Sequence, residues 1–148
     1  MAHVIDVAAY VLEHYGAMTT MKMQKLVFYA QANSLSTTGK PLFPEEFEAW
    51  RGGPVCRELY QCHRGKMIIR PGELPGSDPS STLTVQERAM VDAVCGTLHT
   101  LSGNALSART HAEDPWRDAR GGLPSTANSI TEIPKDAIRE YYRAHPIV

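Results

Sequence analysis

Residues 111 to 120 hold the densest set of groups able to do chemistry. His111, Glu113 and Asp114 stand almost side by side, with Arg117 and Arg120 close behind. A histidine beside two carboxylates can move protons, and arginines can hold an anionic substrate, so hydrolysis or phosphoryl chemistry is the activity to weigh. The same residues also have a structural use. Asp114-Pro115 has the form of an N-cap followed by a first helical residue, launching a short helix over Trp116 to Arg120. Arg117 and Arg120 then share a helical face and can pair with either carboxylate. No nucleophile motif, Gly-rich phosphate loop or HExxH pattern accompanies the cluster. A hydrolase using His111, Glu113 and Asp114 is an alternative reading, and no catalytic residue is assigned.

Cys56, Cys62, Cys95 and His99, with His63 nearby, make up a Cys₃His count. Structural zinc sites pair their ligands two to four residues apart, and these spacings do not. Cys95 also falls on the apolar stripe of a helix. No metal and no cofactor is expected.

The third group is the run FEAWRGGPVCRELY, residues 47–60. Tryptophan, tyrosine and arginine dominate interface hot spots, and Trp50, Arg51, Arg57 and Tyr60 supply them here. The Gly52-Gly53-Pro54 turn fixes the backbone and leaves it accessible. The competing use is internal: Trp50 and Tyr60 in the core, Gly53-Pro54 joining a strand to a helix.

The elements that must position these groups read as mostly helical. Residues 4–15 carry an i, i+3, i+4, i+7 apolar stripe, and Gly16 stops it. Thr19 or Thr20 caps a second helix, with Met23, Leu26, Val27 and Ala30 on one face, running to about Leu35. Glu46 to Trp50 alternates like a short strand. Gly52-Gly53 breaks it, and Pro54 opens a helix that continues through Val55 to His63. Met67 to Ile69 reads as a strand. Residues 70–82, rich in Pro, Gly and Ser, read as a surface loop. Thr84 and Glu87 form a capping box for a helix with Val91, Val94, Cys95, Leu98 and Leu101 on its stripe, ended by Gly103. A short helix follows from Asn104 to about Thr110. Ile130 to Ile133 reads as a strand. Pro134 then opens a last helix carrying Ala137, Ile138, Tyr141 and Tyr142. The expected fold is mainly α, with an α+β character. It is one compact domain over residues 1–148, of six or seven helices with two or three short edge strands.

The 148 residues carry a net charge of −1, which argues against a dedicated nucleic-acid binder. A DNA-binding regulator built on the N-terminal helical hairpin remains an alternative, with Met21-Lys22-Met23-Gln24-Lys25 as a thin recognition face. No apolar run approaches the roughly 20 residues that cross a bilayer, and no signal peptide is visible. Three cysteines without such a signal suggest reduced thiols, so the expected location is cytoplasmic.

Four blocks of sequence carry a family resemblance. Met18 to Gln31, MTTMKMQKLVFYAQ, resembles the MTxxKLQKLxYYAQ opening of Panacea-domain proteins, the SocA-like or phage-associated GepA antitoxins. Pro41-Leu42-Phe43 with Phe47 to Val55 resembles their PLFxExFEAWxxGPV block, and Glu58-Leu59-Tyr60 continues it. Thr110 to Trp116 resembles their THxEDPW block, and Ile133 to Tyr142 their last helix. Cys56 and Arg57 depart from the family's Val and Pro, and Met23 from its Leu. The resemblance implies the antitoxin of a toxin–antitoxin pair, not an enzyme. Such a protein binds a cognate protein toxin and, in at least one member, hands it to a cellular protease. It carries over no catalytic residues. The partner-binding candidates are Trp50, Arg51, Gly53, Pro54, Arg57, Tyr60, His111, Glu113 and Trp116. Arg51, Arg57 and Tyr60 are the members expected to reach solvent.

Overall fold

Every residue from Met23 to Ala32 is buried, so the second helix, α2 (Thr20–Thr38), has no solvent face over its middle turns. A helix covered all round lies at the centre of a domain. The computed structural model describes residues 1–76 and 82–148. Around α2 it packs α1 (Val4–Tyr15), α4 (Val85–Leu98), α5 (Gly103–His111) and α7 (Lys135–Ala144). Two short helices, α3 (Arg57–His63) and α6 (Asp114–Ala119), complete seven among the described residues. The mainly helical α+β architecture expected from sequence is the one observed.

Local signals set several of these boundaries. The Thr19 side chain accepts from Lys22 N–H at 3.1 Å and starts α2, and Gly39, at φ 78°, ends it three residues beyond the expected Leu35. The Thr84–Glu87 capping box starts α4, with both reciprocal bonds in place at 2.9 and 3.1 Å. Val91, Val94, Cys95 and Leu98 form the buried stripe of α4. Tyr10 and Tyr15 of α1 both donate to Asp92 of α4 at 2.7 Å, tying those two helices together across the surface.

Among the described residues five short strands form two antiparallel sheets. The larger has the order β3-β2-β5, from β2 (Phe47–Trp50), β3 (Gly53–Val55) and β5 (Glu132–Ile133). Its register sets Glu48 opposite Val55, Ala49 opposite Pro54 and Trp50 opposite Gly53, with Phe47 opposite Ile133. The smaller pairs β1 (Met18–Thr19) with β4 (Ile68–Ile69). The core runs from α1 through α2 into an aromatic cluster. There Phe28 meets Tyr29, Phe47 and Tyr142 edge-on at 5.2 to 6.1 Å.

Four sequence expectations change. Pro54 does not open a helix. It lies in β3, an edge strand, where a missing N–H is tolerated, and α3 begins at Arg57 behind Cys56. Gly103 does not end α4; it is the first residue of α5, behind the Ser102 cap, and Leu101 is exposed. Glu113, not Asp114, is the N-cap of α6. Ile130 is exposed, and the strand there narrows to Glu132–Ile133. The loop expected over 70–82 is described at both ends, but residues 77–81 lie outside the described residues.

Candidate functional site

Backbone carbonyls of the β2–β3 hairpin and the residue that follows it are held by side chains from three helices. Arg120 Nη1 donates to Ala49 O at 3.0 Å, and Trp116 Nε1 to Trp50 O at 2.8 Å. Ser107 Oγ donates to Gly52 O, and Lys25 Nζ to Pro54 O at 3.1 Å. Gln24 grips Cys56 at both backbone groups, taking its N–H at 3.0 Å and donating to its carbonyl at 3.2 Å. A buried carbonyl left unpaired costs about 1–3 kcal/mol, so this set decides where the hairpin sits. Two turns further along α2, Gln31 grips the next segment the same way, accepting from Leu42 N–H at 2.7 Å and donating to Phe43 O at 2.8 Å.

Lys25 explains Gly53. The lysine stem runs directly beneath the turn, and a Cβ at residue 53 would lie 2.5 Å from Lys25 Cε. Gly53 also has φ 120°, which side chains rarely adopt. Burial pushes the Lys25 pKa down to about 7, because the low-dielectric interior disfavours the ammonium. Its neighbour His63 is also held below the ordinary histidine value by burial, and accepts from Gln24 Nε2 at 3.0 Å.

These bonds sort the candidate residues. Gly53, Pro54 and Trp116 are buried and belong to the support. Trp50, Tyr60, His111 and Glu113 are half-buried, while Arg51 and Arg57 are exposed. Trp50 packs edge-on against Tyr60 at 4.9 Å, and Arg57 lies over the Trp50 ring at 5.5 Å. Glu48 joins them, accepting from Trp50 Nε1 at 2.7 Å and from Arg57 at 2.9 and 3.1 Å. Burial pushes the Glu48 carboxyl up, but the Arg57 and Trp50 hydrogen bonds outweigh it and hold the group below its ordinary value. A groove of about 380 Å³ opens beside this set, lined by Trp50, Arg51, Gly52 and Arg57 on one wall and by 128–130 on the other.

The His111 cluster divides its work. Glu113 receives the hydroxyls of Tyr29 and Tyr142 at 2.5 and 2.8 Å and lies 3.6 Å from Arg109, so it anchors α6 to α2 and α7. Asp114 pairs with Arg117 at 2.6 Å. His111 stacks flat on Trp116 at 3.9 Å. Burial, with the nearby Lys25 and Arg120 charges, holds its pKa below the ordinary histidine value. Among the described residues no hydrogen bond joins His111 to either carboxylate. Nor do the cysteines gather. Cys95 is buried on α4, Cys56 precedes α3 and Cys62 is half-buried. Among the described residues no three potential metal ligands come together.

The residue types and spacings do not reveal Gln24, Lys25 and Ser107 as braces, and they place Arg120 in the His111 cluster rather than on the hairpin backbone. The DNA-binding alternative places Gln24 and Lys25 on a DNA-reading face. Both are buried against the hairpin and Cys56, and Lys22 donates to His99 O, which leaves Met21 as the exposed member of that run. The available signal is the three polar residues Gln24, Lys25 and Gln31 within a run that is otherwise Met, Leu, Val, Phe, Tyr and Ala.

What α2, the hairpin and the Thr110–Trp116 segment define together is a small helical domain in which one β-hairpin turn is braced from beneath. The profile of the family described as "Antitoxin SocA-like, Panacea domain" matches residues 23–117, from the buried part of α2 into α6. The chain belongs to that family. A similar protein is Antitoxin SocA of Caulobacter vibrioides (strain NA1000 / CB15N), 25% identical over 138 residues, which covers 85% of this chain and 72% of that one. No solved structure matches the chain. No helix among the described residues is long and apolar enough to cross a membrane.

Proposed function

We propose that this protein is the antitoxin of a toxin–antitoxin pair and neutralises a cognate protein toxin by direct contact through the exposed face of the β2–β3 hairpin. Family membership supports the role. The observation that carries the location is the bracing: main-chain groups from Ala49 to Cys56 are fixed from beneath, while Arg51, Gly52 and Arg57 remain exposed and Trp50 and Tyr60 partly so. A turn held this way loses little freedom on binding, which removes part of the entropic cost of association. Gly53, Pro54 and Trp116 act as supports of the contact surface; Trp50, Arg51, Arg57 and Tyr60 form it. His111 and Glu113 flank it and hold its base.

The test is co-expression with the product of the adjacent open reading frame. The expected result is relief of toxicity together with co-purification of the two proteins. A neighbour that is harmless, or whose toxicity persists without complex formation, overturns the reading. Toxin level separates the two modes of action. A stable complex indicates blocking, and a toxin that vanishes unless a cellular protease is deleted indicates delivery for degradation.

A further inference from the structure

Depressions surround the hairpin tip. The groove beside Arg51 lies on one side of Trp50 and Gly52. On the other, a pocket of about 200 Å³ has Met21, Val55, Tyr60 and His63 in its walls, with Lys25 among its lining. A further pocket of about 290 Å³ lies at the base, against His111, Trp116, Arg117 and Arg120. The charged residues lining the three are Lys25, Arg51, Arg57, Arg117 and Arg120, and no Asp or Glu lines any of them. In the chain as a whole acids outnumber these bases, 16 Asp and Glu to 15 Lys and Arg, so the tip is an electropositive exception.

The cations differ in how well they are neutralised. Arg57 pairs with the largely covered carboxylate of Glu48, and Arg117 with that of Asp114, which is itself partly exposed. Lys25 and Arg120 are buried, and their hydrogen bonds go to backbone carbonyls: Pro54 for the lysine, Ala49, Pro124 and Ala127 for the arginine. Among the described residues neither meets a carboxylate. Arg120 Nε and His111 Nε2 are buried without a hydrogen-bond partner. Arg51 is exposed and, among the described residues, forms no ion pair. The Arg120 guanidinium lies in a low-dielectric setting where charge is poorly screened, so its field, with that of exposed Arg51, emerges at the tip and favours an arriving anion, while Lys25, with its pKa near 7, adds only part of a charge at neutral pH.

We propose that the hairpin tip recognises an acidic segment of the partner protein. One carboxylate meets Arg51, and an apolar side chain of the same segment enters the pocket between Met21 and Tyr60. The proposal rests on the antitoxin reading and gives its partner a chemistry. The pocket's size suits one large side chain, several times the roughly 30 Å³ share of a water molecule, and its Met21, Trp50, Val55 and Tyr60 walls favour an aromatic or aliphatic one. A nucleic acid fits less well. Neutralising a run of phosphates needs several free cations, and of the lining cations Arg51 alone is both exposed and unpaired among the described residues.

The experiment selects phage-displayed random peptides on the full chain, then measures the enriched peptides by fluorescence anisotropy. The expected sequences place Asp or Glu beside an aromatic or large aliphatic residue. Arg51→Glu is expected to weaken them about tenfold, as like charges meet, and added salt to weaken them further. Met21→Glu, an independent exposed substitution at the pocket wall, is expected to weaken them as well. Arg143→Glu, the same charge change at an exposed position on α7, should leave binding within about twofold. Circular dichroism confirms that each variant is folded. Enrichment of neutral or basic peptides, failure to enrich any sequence, or equal losses in Arg51→Glu and Arg143→Glu overturns the proposal. A fluorescein-labelled DNA duplex that displaces the peptides at equal concentration also overturns it, in favour of phosphate. The antitoxin reading fails separately: a chain that selects acidic peptides at the tip but never relieves its neighbour's toxicity refutes that reading and leaves this surface intact.

Discussion

Beneath the hairpin, Lys25, Gln24, Trp116 and Arg120 each meet a main-chain group and are themselves buried. Above it, Arg57 and Glu48 meet each other and the Trp50 ring, with the arginine in solvent. Both sides are polar and both are hydrogen-bonded, yet their energetic weight differs. A buried donor that loses its partner stays unsatisfied, whereas an exposed one finds water. The lower side therefore sets the fold, and the upper side is the one proposed above to meet a partner. Substitutions on the two sides test that division.

The largest effect is expected from Trp116→Ala. It empties a buried site, removes the donor to Trp50 O and strips the stack from His111 and Arg120. A loss of about 3–5 kcal/mol by urea unfolding is expected. A loss below about 1 kcal/mol would dissolve the distinction between the two sides.

Lys25 gives the comparison a pH signature. Its pKa falls from 10.5 to about 7 on folding, so between those values the unfolded chain binds more protons. Stability contributed by this group then rises with pH, because the cost of a buried ammonium is full below about 7 and is relieved as pH climbs toward 10. Wild type is expected to gain on the order of 3 kcal/mol relative to Lys25→Met between pH 6.5 and 9.5. Parallel stability curves for the two proteins would show that folding does not lower the pKa of the lysine.

Gly53→Ala adds a methyl where φ is 120° and the lysine stem is 2.5 Å away. It is expected to cost about 2 kcal/mol, and the double variant with Lys25→Ala should recover the clash but not the backbone strain. Recovery of the whole loss would assign it to crowding alone. At the small end, Arg57→Ala should leave the urea midpoint within measurement error, since its partner Glu48 also holds Trp50. A clear drop would move Arg57 from the contact surface to the fold.

The helices were legible wherever a local rule fixes them. Thr84 and Glu87 announce α4, Thr19 announces α2, and the periodic stripe of α1 needs no tertiary information. Pro54 was misread because a proline is tolerated both in a first helical turn and in an edge strand. What decides between them is the pairing of Ala49 with Pro54 and the lysine beneath the turn, contacts distant in sequence. The aromatic and arginine members of the site were visible from residue type. Gln24 and Lys25 were not, because a polar side chain in a helix does not declare its burial, and Arg120, though named, gave no sign that it reaches the hairpin backbone. In α2, covered on all sides, no period separates an inner face from an outer one. His111, Glu113 and Asp114 looked like one reacting group because they are close in sequence. The helix start at Asp114 sends their side chains to three different neighbours.

The braces beneath the hairpin grip peptide groups, and peptide groups are the same whatever residue carries them. Arg51 and Gly52 are exposed, and a Cβ at Gly52 would meet nothing within 4 Å. The tip is thus a place where sequence can be rewritten without renegotiating the architecture, much as type is changed in a fixed frame. With the tip as the contact surface proposed above, drift at a few surface positions is enough to change what it recognises, and the braced hairpin offers a ready scaffold for displaying a chosen turn.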